Sequence, residues 1–495
     1  MEQINIFDCL YPSYKINKPI RLIELFAGVG SQAMALKTIG YPYELYKTSD
    51  WEVHAVASYK AIHHEKDNKD YSVEIKTQDL PQALYNIGIS NDGKKPMTLQ
   101  QIERKGEKWQ RQTYNNFKAT HNVGSITNIN GKDLEIVNTQ DFTYLLTYSF
   151  PCQDLSLAGK QAGMAKGSNT RSSMLWEVER LLNETSELPQ VLLMENVPEV
   201  ASVNNINDFH NWQQFLESKG YSNYFELLKA SDYGVAQKRK MAFMISILGD
   251  YNYRFPEEIP LKKTMNDYLQ KNVDEKYYIK NEKANKLIEI LMKNGEIPNK
   301  AIIQSGTDLT VNNPKLINQA NCIIARYDSG ISNLRQSGTG VLTREPRRIG
   351  GLHDGESRHQ AGSVWDKSRI APTLDTMGGG HREPMILDKG NQGINTKGKR
   401  QAMASTILAG YERSNMSDFN SDNAVLEATY RIRKLTPNEC WRLMGFSDED
   451  FKKAEKVNSN RQLYKQAGNS IVKNVLVAII SQLIPGKENI YKSKE

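Results

Sequence analysis

From Tyr144 to Phe150 the chain reads YLLTYSF, an apolar, β-prone run that stops at Pro151, with Cys152 directly after it. Such a run reads as a buried strand. Proline removes a backbone donor and fixes φ, so it ends the strand and stiffens the turn. A cysteine on the carboxyl edge of a parallel strand sits where open α/β sheets place their ligands. The next residues, QDLSLAGKQAGM, are rich in Gly, Ser and Lys and suggest a flap. For a lone cysteine the ordinary reading is a small buried apolar residue. Three other stretches argue for chemistry instead.

The first is IRLIELFAGVGSQAMALKTIG, Ile20 to Gly40, which reads as a strand, a glycine turn and a helix from near Ser31. Gly28 and Gly30 would let a ligand approach the backbone, and the helix start offers free N–H groups. A GxG turn is a nucleotide-type cofactor turn or a plain tight turn, and it does not match the GxxxxGK[ST] phosphate loop. A second strand, ELYKTSD, ends at Asp50, with Trp51 next. An acid at that strand tip is where such folds hold ribose hydroxyls. Its other reading is an N-cap for the helix EVHAVASYKAIHH. The second stretch is VLLMENVPEV, a strand from Val191 to Met194 ending in Glu195, Asn196 and Val197 and closed by Pro198. A carboxylate there should have a raised pKa and can hold or share a proton, unless it merely caps the next helix. The third, YFELLKASDYGVAQKRKMAFMISIL, gives two apolar strands joined by a turn that carries Gln237 and Arg239.

An amphipathic helix over Met174–Leu182 separates two of these strands. The alternation implies an α/β fold with a doubly wound, mostly parallel sheet up to about Phe255. In that fold Gly28, Asp50, Cys152 and Glu195 converge on one sheet edge. We expect an α/β domain over 1–260, with a polar insertion between Glu65 and Thr120 that holds one short helix at most. HNVGSITNI then reads as a short strand and turn. A smaller, loop-rich, β-containing domain follows over 261–430, where Gly is frequent and Arg, Lys, Ser and Thr are scattered. Such loops suit groove reading and phosphate contacts, or form an ordinary β-rich surface domain. The segment 431–495 returns to the first domain. Thr436 and Pro437 there look like an N-cap and first turn, and Gly468 like the turn before a buried helix.

Composition narrows the class further. The four cysteines lie far apart with no CxxC spacing, and the eight histidines show no HExxH. We therefore expect a reduced, cytoplasmic protein without a metal site. No apolar run approaches the ~20 residues of a membrane span, and MEQINIFDCLYPSYK does not read as a signal peptide. The net charge of +7 is compatible with a polyanionic partner.

The motifs resemble those of the DNA cytosine-5 methyltransferases of bacteria and their phages. FAGVGS is similar to the family's cofactor motif, SFPCQ to its nucleophile motif and ENV to the motif with the catalytic Glu. QKR, RKLTPNECWRLMGF and QAGNSI follow in the family's order, and RIAPTLDTMGGG resembles its target-recognition stretch. The resemblance implies a methyltransferase fold that uses S-adenosylmethionine on duplex DNA. Phe26, Gly28, Gly30, Asp50 and Trp51 would hold the cofactor, with Asn469 and Ser470 closing the same pocket. Cys152 would be the nucleophile, Glu195 the proton partner at the base and Arg239 the brace. Gln360 would fill the space left by a flipped cytosine, while Thr373, Leu374, Ser156 and Arg171 would meet DNA. A flap from Asp154 to Arg171 would close over the base.

A monomer, with or without a cognate restriction endonuclease, is the expected assembly. The same chemistry on transfer RNA, and a DNA-binding regulator without catalysis, are the competing readings. Three departures from the family stand out. Ser31 replaces a glycine of the cofactor turn. Ser125 replaces an acid that contacts the cofactor's adenine. Met241 replaces the second arginine of QxRxR, and Lys240 beside it should point to the opposite face.

Overall fold

The computed structural model of the chain describes residues 11–152, 154–155, 163–168, 170–237, 239–263, 265–268, 270, 273–277, 436–488 and 490–491, and short strands between 306 and 434. Two compact units are present: Met1–Gly234 with Arg239–Pro260 and Met444–Glu495, and Val235–Lys238 with Leu261–Leu443.

The first unit is built on one sheet of six strands. These are β1 (Ile20–Leu25), β2 (Tyr43–Ser49), β3 (Thr143–Tyr148), β4 (Val191–Asn196), β5 (Tyr221–Lys229) and β6 (Lys240–Leu248), in the order β2-β1-β3-β4-β6-β5. β1 pairs in parallel with β2 and β3, and β3 with β4, whereas β6 runs antiparallel to β4 and β5. The sheet is therefore α/β and mostly parallel, as expected. Register does the positioning: Leu25 lies opposite Ser49 and Tyr148, and Tyr148 opposite Met194. The four parallel strands end in one row. Phe26, Asp50 and Cys152, which follow them, and Glu195 at the end region of β4 are delivered to one edge. The chain leaves β1 for β2 on one side and returns to β3 on the other, so a topological switch point lies there.

Strand β3 is buried along its whole length. Leu146, Tyr148 and Phe150 pack with Leu192, Met194 and Trp212 in the main core. The Trp212 indole N–H donates to the Tyr148 hydroxyl at 3.0 Å, so the largest buried ring leaves no unsatisfied donor.

The helices of this unit are α1 (Ser31–Ile39), α2 (Val53–His63), α3 (Leu80–Ile87), α4 (Leu99–Glu103), α5 (Glu107–Ala119), α6 (Leu175–Glu184) and α7 (Ile206–Ser218). Helix α1 starts after Gly30 (φ 82°) and stops at Gly40 (φ 70°), both left-handed, where glycine carries no steric penalty. The insertion corrects the sequence reading, because it holds three helices rather than at most one. Val53, Val56, Leu84, Ile89, Met97, Ile102 and Phe117 give it a core of its own. In α5 the buried positions include Gln110 and Thr113 as well as Phe117. Polar residues on the buried face break the hydrophobic period, which hid this helix. Gln110 is satisfied by donating to the carbonyls of Ile102 and Lys105, at 3.1 and 2.7 Å. Thr98 and Gln101 close a capping box on α4.

Between His121 and Ile129 the expected strand is a single parallel bridge, Thr48 to Asn122.

The second unit contains a four-stranded sheet in the order Thr429–Lys434, Met385–Gly390, Ser363–Trp365, Arg348–Gly351. It also holds two short antiparallel pairs, Gly393–Ile394 with Arg400–Gln401 and Gly306–Asp308 with Lys315–Ile317. Helix α8 (Pro437–Leu443) closes it, capped as expected by Thr436, which accepts the Glu439 amide at 3.2 Å. In the first unit α9 (Asp448–Glu455), α10 (Asn460–Asn469) and α11 (Lys473–Ser481) follow. Gly468 lies inside α10, and the chain turns two residues later than expected, at the extended Ser470. Among the described residues no helix is long and apolar enough to cross a membrane.

Candidate active site

The glycine turn after β1 is held by Asp50. The Gly28 amide donates to Asp50 Oδ2 and the Glu52 amide to Oδ1, both at 2.8 Å. Asp50 is thus not the N-cap of α2, which is Glu52, yet it orders the approach to that helix. Burial pushes its carboxyl up to about 6, against the pull of those two amides. Phe26 holds φ 60° and Gly28 φ 57°. The left-handed region is rare for a bulky residue, and strain of this kind clusters at ligand sites. A Cβ on Gly28 would meet no atom within 4 Å, whereas one on Gly30 would lie 2.4 Å from His63 Nε2. Gly28 therefore faces open space, and Gly30 is needed for packing on α2. Burial lowers His63 to about 4, so its neutral ring donates to the Val29 carbonyl at 2.9 Å.

Beside this turn lies a cavity of about 1060 Å³, lined by Phe26, Asp50, Trp51, Ser125, Ile126 and Pro151 and walled further by residues of the insertion between Tyr85 and Leu99. Its size suits a nucleoside-sized cofactor. Gly28, Gly30, Asn469 and Ser470 do not line it. Asn469 is exposed. The Ser470 hydroxyl turns back on the Gln466 carbonyl at 2.7 Å. The Ser125 hydroxyl pairs with Thr127 Oγ1 at 3.0 Å, so a neutral cluster stands where the family resemblance leads one to expect an acid.

At the same edge, Cys152 follows β3 as a half-buried free thiol. Burial raises its pKa, the Glu195 charge raises it further, and Arg239 opposes both. The resting group is a thiol rather than a thiolate. Glu195 is the penultimate residue of β4, is 6% exposed, and has Oε1 without a hydrogen-bond partner. It caps no helix. Burial pushes its carboxyl up to about 7, with Arg239 pulling the other way. Arg239 is buried and donates from Nη1 to the Gly468 carbonyl of α10 at 2.9 Å. Thiol, carboxyl and guanidinium thus stand close enough to feel one another's charge. Met241 is buried and Lys240 exposed, so the two alternate as the sequence implies.

The ends of the flap are fastened together. Arg171 donates its amide to Asp154 Oδ2 at 2.7 Å, and its guanidinium reaches Oδ1 at 3.3 Å. Arg171 therefore serves the base of the flap while staying partly exposed. Ser156, Gln360, Thr373 and Leu374 lie outside the described residues.

Sequence reasoning assigned no role to Asn196 or to the insertion wall. Asn196 was visible inside ENV, but its partner is known only once β3 and β4 are neighbours. The wall, with Pro96, Met97 and Leu99 among its members, carried no motif.

A doubly wound sheet whose carboxyl edge joins a nucleoside-sized cavity to a thiol and a buried, protonatable carboxyl defines a group-transfer enzyme of the nucleotide-cofactor class. The family model for C-5 cytosine-specific DNA methylase matches residues 20–89 and 86–485, and the chain belongs to that family. It is a C-5 cytosine-specific DNA methyltransferase. The chain is 28% identical to the type II methyltransferase M2.ScrFI of Lactococcus lactis subsp. cremoris, over 94% of this chain and 99% of that protein. It is 37% identical to the orphan methyltransferase M.SssI of Spiroplasma monobiae, over 53% of this chain and 68% of that one. In fold it is similar to the Entamoeba histolytica methyltransferase EhMeth, with a TM-score of 0.50 at 13% identity, covering 94% of this chain and 98% of the other.

Proposed function

We propose that the chain transfers a methyl group from S-adenosylmethionine to C5 of a cytosine flipped out of duplex DNA, within one fixed short sequence, through a covalent Cys152 adduct. The observation that carries this reading is Glu195, a buried carboxyl that holds its proton up to about pH 7 and has an oxygen without a partner at the edge where Cys152 stands. Buried polar atoms without a partner are rare in folded proteins, and the protonated carboxyl would satisfy this one by donating to N3 of a cytosine.

Carbon 5 of cytosine is a poor nucleophile. Addition of the Cys152 sulfur to C6 breaks the aromatic system and moves the C5–C6 electron pair to C5. A proton from Glu195 at N3 draws electrons away from C6 and favours that attack. Arg239 limits the carboxylate charge left behind. S-adenosylmethionine, when bound, supplies the methyl group on a sulfonium centre. Loss of the C5 proton to solvent then re-forms the double bond and expels the Cys152 thiolate.

The cavity fits such a cofactor. Asp50 offers an anionic acceptor for ribose hydroxyls and Trp51 an apolar face. Because ring atoms inside a stacked duplex are out of reach, the base must leave the stack, at a cost of a few kcal/mol. The second unit would supply offsetting phosphate and groove contacts and read the target, with Gln360, Thr373 and Leu374 as its candidates. The flap between Asp154 and Arg171 would exclude water.

The test is methyl transfer from labelled S-adenosylmethionine to unmodified mixed-sequence DNA, followed by bisulfite sequencing. Methylcytosine in one short context establishes the reading. A duplex with 5-fluorocytosine at that target should trap a covalent complex, since fluorine cannot leave as a proton does. Cofactor binding without transfer to DNA would sink the proposal.

A further inference from the structure

The cofactor cavity has a wall that no motif announces. Residues 90–97 form a loop stitched to itself and to the segment bearing Trp51. The Ser90 amide donates to the Trp51 carbonyl at 2.6 Å, and the Val53 amide to the Ser90 carbonyl at 3.0 Å. Ser90 Oγ donates to the Lys95 carbonyl at 2.6 Å and accepts the Gly93 amide at 3.0 Å. Asp92 Oδ1 accepts the Lys94 amide at 2.9 Å. From this loop and the residues after it, Gly93, Lys94, Pro96, Met97 and Leu99 line the cavity, beside Tyr85, Asn86 and Gly88 of the same insertion.

One side chain from far along the chain fastens it. Lys465, on α10, places Nζ 2.8 Å from Glu52 Oε1 as an ion pair and donates to the Asp92 carbonyl at 2.8 Å. Glu52 is only 10% exposed in its side chain, and its amide is one of the two that hold Asp50. Gly93 lets the ammonium approach. At φ +70° it is left-handed, and a Cβ there would lie 3.1 Å from Lys465 Nζ and 3.4 Å from Glu52 Oε2. Two parts of the cofactor site thus meet at one cation: the wall loop, through Asp92, and the segment after Trp51, through Glu52. We propose that Lys465 is a positioning residue that clasps the 90–97 loop over the cofactor cavity and thereby sets affinity for S-adenosylmethionine. This rests on the reading of the cavity as the S-adenosylmethionine site.

The clasp predicts an effect on binding rather than chemistry. One turn along α10 from Lys465, Gly468 accepts from Arg239, which touches the catalytic edge. A residue acting through Arg239 would change kcat, whereas a residue acting on the wall changes KM for the cofactor and leaves kcat intact. Lys465 is 21% exposed, so water blunts the ion pair but not the bridge between segments.

The experiment titrates S-adenosylmethionine, and separately its demethylated product, into full-length protein by calorimetry for wild type, Lys465→Met, Lys465→Arg and Gly93→Ala. Steady-state methyl transfer is measured alongside. Loss of one charge-assisted bridge should weaken both ligands about tenfold in Lys465→Met. KM for the cofactor should rise in step, kcat should stay within about twofold, and Lys465→Arg should recover most of the affinity. Wild-type affinity in Lys465→Met, or a fall in kcat with KM unchanged, overturns the clasp. Should Lys465→Met fail to fold, Gly93→Ala decides: weakened binding supports the clasp, and unchanged binding overturns it. If wild type binds neither ligand, the reading of the cavity itself fails and the clasp falls with it. That result is distinct from a clasp that fails in a protein that binds.

Discussion

Asn196, the last residue of β4, donates its side-chain amide to the Phe150 carbonyl at the end of β3, at 2.9 Å, and accepts the Val197 amide at 2.9 Å. This cross-link ties the strand end that bears Glu195 to the turn that bears Cys152, independently of the flap. Asn196 is 1% exposed, so truncation would leave the buried Phe150 carbonyl and the half-buried Val197 amide without these partners. Each such orphan costs about 1–3 kcal/mol. Asn196→Ala should therefore melt earlier, and kcat should fall by roughly tenfold or more as the thiol and carboxyl lose their spacing. Cofactor affinity should hold, because the cavity wall does not use Asn196. A normal kcat in a destabilised variant would show that the tie serves the fold alone.

Glu195 should make the enzyme less stable than it could be. Its carboxyl titrates near 7 in the folded protein instead of 4.5, so the folded state binds the proton more tightly than the unfolded one. Stability therefore falls as pH rises from about 4.5 to about 7 and is level above that. By the size of that shift the burden at pH 8 is up to about 3 kcal/mol. Glu195→Gln should melt higher than wild type at pH 8 and at the same temperature near pH 4. Its activity should drop by about 10²–10⁴-fold, because an amide does not deliver a proton to N3. Thermal melts at the two pH values check the stability part, and a variant less stable at pH 8 would contradict it.

The same pair sets the pH dependence of the rate. In the proposed mechanism attack needs a thiolate on Cys152 and a proton on Glu195, yet the thiol is raised and the carboxyl is the stronger acid. Between about pH 7 and the thiol's own titration the pair keeps one proton, and a fixed fraction of molecules carries it on Glu195. Below about 7 both groups are protonated and the rate should fall about tenfold per pH unit. Above the thiol's titration both are ionised and N3 has no donor, so the rate should fall again. In Glu195→Gln the upper limb should vanish. The thiol should also titrate lower, since the carboxylate no longer opposes its ionisation. A wild-type kcat/KM that stays flat from pH 7 down to 5.5 would exclude this proton inventory.

The site was legible where a reactive residue stands next to an apolar strand. Cys152 comes shortly after β3 and Glu195 stands in the last two residues of β4, and the parallel register carries them to the same edge. Asp50 was legible for the same reason, although its double grip on Gly28 and Glu52 was not. The insertion was misread because Gln110 and Thr113 face its core, which removes the hydrophobic period that marks a helix. Lys465 gave no local signal. Its acceptors lie nearly the whole chain away, and only the packing of α10 beside α2, seen also where Gln466 donates to the His54 carbonyl at 3.0 Å, brings them together.

Asp50 offers a test of cofactor binding that is separate from unfolding. Only the carboxylate can accept two ribose hydroxyls while still holding Gly28 and Glu52. Burial raises its pKa to about 6, so the accepting form is lost below that pH. Affinity for S-adenosylmethionine should be constant from pH 8 to about 6.5 and should weaken toward tenfold per pH unit below 6. Asp50→Asn should bind weakly at every pH, by about 10–100-fold relative to wild type at pH 8, with the pH dependence gone. The fold does not share this loss. A carboxyl raised in the folded state makes the protein more stable, not less, as pH falls from about 6 toward its ordinary value. Weak binding at pH 5 with an undiminished melting temperature would therefore locate the effect in the site. Equal affinity at pH 8 and pH 5 in the wild type would mean that Asp50 orders the turn but does not touch the cofactor.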